Sequence, residues 1–408
     1  MRGFQVHRGV LRLRSALALP CALVPLAAHG QAARPTRHVD ATLSTTLQYD
    51  SNGLLSDSAV NGSGPSQSDL RATPSLNLDI YVPVGRQAVF LAGGIGYDFH
   101  TRYKRFNSER INLAGGADLS YAGNCTSHVE LGYARYHTNL ADIVDIGGGF
   151  TDNNREERRS FGIDAGCGGA IGLRPSIGFR REEVRNSSFF RRISNDNTDT
   201  YTTQLGYSRP ALGTVSIYGS FSDGEYPNRR TATFVDGVRI FSGGLQYERA
   251  VGTRLTARGS LGYSRVEPKA PGVPKYGGLS YSLSATYRGD RISLTALGSR
   301  SVEQSNILDI SYDIDTNFSL NAEYALSPKV NLLGDARYQR RSFRSSPLIP
   351  SSLARGSDRL YDVGGGVRLF PRNRLSFTLE AEREHRDADV RLLNYNDTRV
   401  SLTATVRL

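Results

Sequence analysis

The chain has 408 residues, a formal net charge of +11, 43 glycines, 21 tyrosines and no tryptophan. Its mean hydropathy of −0.38 excludes a bundle of membrane-spanning helices, each of which needs about twenty mostly apolar residues. Abundant glycine and aromatic residues favour an all-β chain instead.

The first element is a leader. Arg2, Arg8, Arg12 and Arg14 precede an apolar stretch from Ser15 to Ala28, no acidic residue occurs before Asp40, and small residues Gly30 and Ala32 follow. A basic start, an apolar middle and a small-residue end define a secretory signal peptide. Residues 1–32 are therefore expected to be cleaved, leaving 33–408 as one domain. The apolar stretch is too short for an anchor and carries Pro20 and Pro25, and Pro20 before Cys21 argues against a lipoprotein.

From there the dominant period is two. Leu255, Ala257, Gly259, Leu261 and Tyr263 alternate with Thr256, Arg258, Ser260 and Gly262. Such alternation places one face of a strand in an apolar setting and the other in a polar one. Segments of this kind are predicted near 39–50, 70–81, 87–100, 108–121, 127–138, 158–168, 171–184, 199–208 and 213–222. They continue near 237–249, 254–266, 278–287, 291–302, 312–324, 330–343, 358–370, 374–386 and 395–408.

Two features separate a membrane barrel from a soluble sandwich. The connections switch between short ones (Pro83-Val-Gly-Arg86, Arg288-Gly-Asp-Arg291, Pro371-Arg-Asn-Arg374) and long ones (51–69, 139–157, 344–357). Outer-membrane barrels pair tight periplasmic turns with long outer loops. The tyrosines also close the apolar faces at both ends: Tyr49, Tyr97, Tyr263 and Tyr338 toward the long loops, and Tyr121, Tyr207, Tyr247, Tyr287 and Tyr324 toward the short turns. That is the pattern of two interfacial girdles. The chain also ends on Val400, Leu402, Ala404, Val406 and Leu408 in alternation, as a terminal barrel strand should. The reading is an all-β transmembrane antiparallel barrel of about eighteen strands, with sixteen as the alternative, in the outer membrane of a Gram-negative cell.

If apolar residues face lipid, register gives the lumen. Candidate lining residues are Arg71, Asp118, Glu130, Arg174, Arg180, Arg254, Arg258, Glu323, Asp335, Arg337, Arg368 and Glu380. Water in a wide barrel tolerates such charges, so they form a polar pathway or merely stiffen the wall. Arginines at 102–110, 155–159, 180–192, 229–230 and 340–344 form loops and rims suited to lipopolysaccharide phosphates or an acidic solute. The unusually apolar 140–150 within loop 139–157 is expected to fold into the barrel as a constriction. Cys125 and Cys167 sit at periplasmic ends of a predicted hairpin and are expected to form a disulfide.

Enzymatic chemistry has no support: the sequence holds no G-x-S-x-G or H-E-x-x-H motif, and its histidines lack metal-ligand spacing. No catalytic, metal or cofactor residues are expected, and no nucleic-acid partner. Outer-membrane lipid, lipopolysaccharide and the barrel-assembly machinery are the expected partners.

The first strand ends Leu47-Gln-Tyr-Asp-Ser-Asn52, and Gly94-Ile-Gly-Tyr-Asp98 and Leu131-Gly-Tyr-Ala-Arg135 follow it. On these residues the chain resembles the outer-membrane β-barrel porin family found with exopolysaccharide biosynthesis and export loci. The resemblance implies a conduit for a secreted polysaccharide, working with a periplasmic polysaccharide-export protein. A general or substrate-selective diffusion porin is the alternative, and a structural barrel that displays loops is third.

Overall fold

In the computed structural model, which describes residues 37–55, 67–138, 153–307, 310–346 and 356–408, the chain is built from antiparallel strands joined by turns and short 3-10 segments. The expected leader, 1–32, lies outside the described residues. The first strands are β1 (His38–Asp50), β2 (Asp69–Val84), β3 (Gln87–His100), β4 (Ser108–Ser120), β5 (Cys125–His137) and β6 (Arg155–Cys167). The middle of the chain forms β7 (Gly172–Asn186), β8 (Asp196–Arg209), β9 (Gly213–Arg230), β10 (Val235–Val251), β11 (Leu255–Pro268) and β12 (Tyr276–Arg288). The last third supplies β13 (Ile292–Gln304), β14 (Ile310–Ser327), β15 (Val330–Ser345), β16 (Ser357–Leu369), β17 (Leu375–Ala388) and β18 (Tyr395–Arg407).

Each strand pairs with its neighbours in sequence, and β1 pairs with β18, so the 18-stranded sheet closes on itself. Closure gives every strand two partners and removes the exposed edges that hydrocarbon cannot satisfy. Both ends of the strand-forming chain, at His38 and Arg407, lie on the short-turn side, which is the periplasmic side. Several strands run further than the alternating pattern predicts on the other side: β9 continues to Arg230, and β14 begins at Ile310.

The two faces separate cleanly. Leu43 faces Leu76 and Val406 across its two ladders, and Leu245 faces Ile217 and Leu261. Leu131, Ile177 and Leu283 are 62%, 65% and 56% exposed; a soluble protein would not leave a continuous belt of such residues in water. Above this belt, Phe161, Phe179, Tyr201, Phe221 and Phe241 touch ring to ring across five consecutive strands. Tyr281, Phe318, Tyr338, Tyr361 and His385 continue the row. The opposite girdle holds Tyr121, Tyr207, Tyr247 and Tyr324, all exposed. Aromatic rows at two heights bound the hydrocarbon slab.

Cys125 and Cys167 are direct cross-strand partners at the periplasmic end of the β5–β6 pair and are joined by a disulfide.

The lipid-facing assignment has a direct test. Leu283→Arg, near the middle of the apolar belt, is expected to destabilise the barrel by about 2–4 kcal/mol in denaturant unfolding from lipid vesicles. Its chain neighbour Ser284→Arg, on the lumen side, should change stability by about 0.5 kcal/mol or less.

Candidate functional site

The lumen is the candidate site, and it has two unlike walls. From β8 to β13 the inward positions are almost all small and hydroxylated, among them Thr200, Ser222, Ser242, Ser264, Ser282 and Thr295. Thr200 bonds Ser222 and Ser242 bonds Ser264, each at 2.8 Å. The Arg258–Glu248 ion pair, at 2.6 Å, lies toward the periplasmic end of this wall.

The opposite wall is charged. Across β15 to β18 the inward set includes Asp335, Asp362, Glu380, Glu382 and Glu384 against Arg337 and Arg399. Arg399 holds Glu384 at 2.5 Å and Asp362 at 3.2 Å. Asp335 and Glu382 converge over Gly364: a Cβ there would meet their side chains at 2.8 and 2.9 Å. Glycine at this position is what lets two carboxylates from strands two apart lean together. Lower down, Arg368 pairs with Glu323 at 2.8 Å. Around β2 to β4, Asp98 binds Arg110 at 2.8 Å and approaches Arg71 at 4.0 Å. Between β4 and β7, His128 sits 2.7 Å from Asp118, and Arg180 lies 4.0 Å from Glu130.

Register thus turns Arg71, Asp118, Glu130, Arg180, Arg258, Glu323, Asp335, Arg337, Arg368 and Glu380 inward, and Arg174 likewise through its pairing with Gly206. Arg254 departs from the expectation. It lies in the turn before β11, not on a strand, and binds Asp290 of the next periplasmic turn at 3.0 Å. Alternation read from sequence runs one residue past the strand end, where the turn breaks the period.

The mouth holds a feature that the alternation pattern does not reveal. The β12–β13 ladder stops at Tyr281 opposite Arg300, whereas β13–β14 pairing continues up to Gln304 opposite Tyr312. Above the split, the β13–β14 hairpin leans into the barrel. Val302, Tyr312 and Ile314 have the parity of lipid-facing Phe318, yet they are buried against Val238 and Val266, which have lumen parity on β10 and β11. Ala270 and Val273 of the connection after β11 complete the cluster. Two sheet layers packed face to face stand about 10 Å apart, so the hairpin narrows the mouth by roughly that depth on one side.

Polar contacts pin its tip. The Tyr226 hydroxyl donates to the Ser311 carbonyl at 2.8 Å, and the Arg229 guanidinium donates to the Ile310 and Ile307 carbonyls at 3.0 and 3.3 Å. Arg229 also pairs with Asp236 at 3.6 Å, with both side chains fully buried. Gln304 lies over Gly224, where any Cβ would collide with its amide. On the tip's other side, Ile307 and Ile310 pack on Phe343. The sequence does carry a trace of this arrangement: Val238, Ile240 and Val266 are apolar at lumen positions, and Val302, Ile310, Tyr312 and Ile314 are apolar above the girdle. The constriction expected from loop 139–157 cannot be set beside it, because 139–152 lie outside the described residues.

A closed barrel with a lipid belt, two aromatic girdles and a polar lumen defines an outer-membrane β-barrel channel. The model of the family described as "Putative beta-barrel porin 2" matches residues 191–408, and the chain belongs to that family. No curated protein matches the chain. Among solved structures it is similar to Pseudomonas aeruginosa OccK2 (OpdF) in complex with glucuronate, at 12% identity and a TM-score of 0.47, covering 91% of this chain and 98% of that one. Pseudomonas aeruginosa opdK (12% identity) and a BenF-like porin from Pseudomonas fluorescens Pf-5 (11%) give the same TM-score, each alignment covering 91% of this chain and 99% of the other.

The docked hairpin predicts a gain of conductance. Arg229→Gln leaves Asp236 buried without its cation, and breaking a buried pair in this way costs about 3–5 kcal/mol. Amide exchange across 303–307 and 310–312 should accelerate, and single-channel conductance in planar bilayers should rise above wild type.

Proposed function

We propose that this porin is a selective diffusion channel for small hydrophilic solutes and that it favours cations. The observation that carries the reading is the local carboxylate excess in the middle band of the β15–β18 wall, where Asp335, Asp362, Glu380, Glu382 and Glu384 face the water with Arg337 and Arg399. Nearer the two ends of this wall, Arg368 pairs with Glu323, and Arg341 and Arg386 pair with Asp358. Fixed charges on a pore wall raise the local concentration of counter-ions, and acidic linings select cations. The infolded hairpin supports a size limit at the mouth, since a chain-like solute threads a narrowed entrance less readily than a small one.

Export of an exopolysaccharide, the role implied by the sequence resemblance, is the weaker reading. A sugar polymer sliding through a pore is served by a continuous track of inward aromatic platforms, and the inward rings here stand apart. Tyr218 on β9 lies among serines and threonines, and across the bore Phe90 is stacked on His128 and Tyr81 on His38. A periplasmic export partner belongs to that reading and stands or falls with it.

Reversal potentials across a planar bilayer under a tenfold KCl gradient test the preference. Wild type should be cation-selective, and the Glu380→Gln, Glu382→Gln, Glu384→Gln triple variant should move the reversal potential toward zero. An anion-selective wild type overturns the proposal. Liposome swelling that admits long dextrans as fast as monosaccharides would return the export reading to first place.

A further inference from the structure

On the outside of the barrel, charged residues crown the aromatic girdle on the long-loop side, and from β6 to β11 they neutralise one another. Arg159 pairs with Glu157, and Arg181 pairs with Glu183 at 3.2 Å and with Asp199 at 3.3 Å. Arg265 pairs with Glu267 at 2.6 Å, and Arg239 approaches Asp223 at 3.7 Å.

The outer faces of β15 to β17 break that rule. Arg340 and Arg359 are direct cross-strand partners one row above the Tyr338–Tyr361 pair. Like charges directly opposite each other on a sheet face are destabilising. The local carboxylate is Asp387, opposite Arg359 and 3.9 Å from it. Arg383 lies one row below the aromatic Tyr361–His385 pair, opposite lipid-facing Val363, which is 60% exposed. Arg340, Arg359 and Arg383 are all exposed, and neither Arg340 nor Arg383 has an acidic partner within ion-pair distance among the described residues. An arginine at the edge of the hydrocarbon with no protein counter-ion snorkels toward whatever anion lies at headgroup height.

We infer that Arg340, Arg359 and Arg383 form a binding site for a phosphate-bearing headgroup of an outer-leaflet glycolipid, of the bisphosphorylated lipid A type. The guanidinium fork matches phosphate oxygens in pairs. The patch is continuous with the aromatic row that fixes the interface, so the lipid reaches it by lateral diffusion with its acyl chains lying along Val363 and the apolar belt. A phosphate between Arg340 and Arg359 turns their mutual repulsion into shared attraction.

Native mass spectrometry of the purified full-length barrel in neutral detergent, titrated with bisphosphorylated lipid A, tests the site. Wild type should retain the lipid, and lipid A stripped of both phosphates should bind at least about tenfold more weakly, as the loss of charge-assisted hydrogen bonds predicts. The Arg340→Gln, Arg359→Gln, Arg383→Gln variant should lose the phosphorylated lipid to the same degree. Arg239→Gln with Arg265→Gln, which opens two neutralised pairs elsewhere on the crown, should bind like wild type. Asp387→Asn, which removes the competing carboxylate, should tighten binding. Heat-modifiable migration in detergent gels checks that each variant is a folded barrel, and Asp387→Asn tests the site even where the triple variant fails to fold. Equal retention of phosphorylated and stripped lipid, or a folded triple variant that binds like wild type, overturns the inference. Displacement of the lipid by equimolar inorganic phosphate overturns it in favour of a free-anion site.

Discussion

Hydrocarbon offers no hydrogen-bond partner to a peptide group, and the rest of this structure follows from that. A sheet placed in such a medium has to close, because an open edge would strand a row of donors and acceptors, each costing several kcal/mol. The β1–β18 ladder, running from Thr42 opposite Arg407 to Asp50 opposite Arg399, performs that closure. Once it exists, every strand has a wet side and a greasy side, and alternate residues are assigned to one or the other without further instruction.

That is why so much of the architecture can be read from the chain alone. Strand positions, the sequence of tight turns and long connections, the tyrosine girdles and the inward set from Arg71 to Glu380 all follow from a two-residue period applied to residues such as Leu245, Leu261 and Leu283. The cross-strand position of Cys125 and Cys167 follows from simple hairpin pairing. The period stops informing where the slab stops. Arg254 falls in a turn, where side chains no longer alternate, and β13 parts from β12 above Tyr281 because nothing apolar surrounds the barrel there.

Above the girdle, water replaces lipid, and the same apolar side chains meet a different choice. Val302, Tyr312 and Ile314 would be exposed if β13 and β14 continued straight upward. Bending inward buries them on Val238 and Val266, each apolar side chain contributing about 1.5–3 kcal/mol when fully covered. The buried Arg229–Asp236 pair contributes position more than energy, since desolvation offsets much of its attraction. A local pattern cannot anticipate this packing, because the partners are separated by several strands and the hairpin buries side chains of lipid-facing parity against side chains of lumen parity. The useful trace is an inconsistency: apolar residues at positions that the wet side should hold.

The unlike character of the two lumen walls reaches beyond the balance of charge. About a third of the circumference, from β8 to β13, is mostly neutral hydroxyl and glycine, and the remainder carries denser ionised groups, so the potential changes across the bore as well as along it. An elongated zwitterion in a channel with such a field would feel a torque, its ammonium end turning toward Glu380 and Glu382 and its remaining length toward the serines and threonines. A solute entering from the long-loop side would pass the narrowed mouth first and meet this field afterwards, so that cross-section and orientation would act in succession.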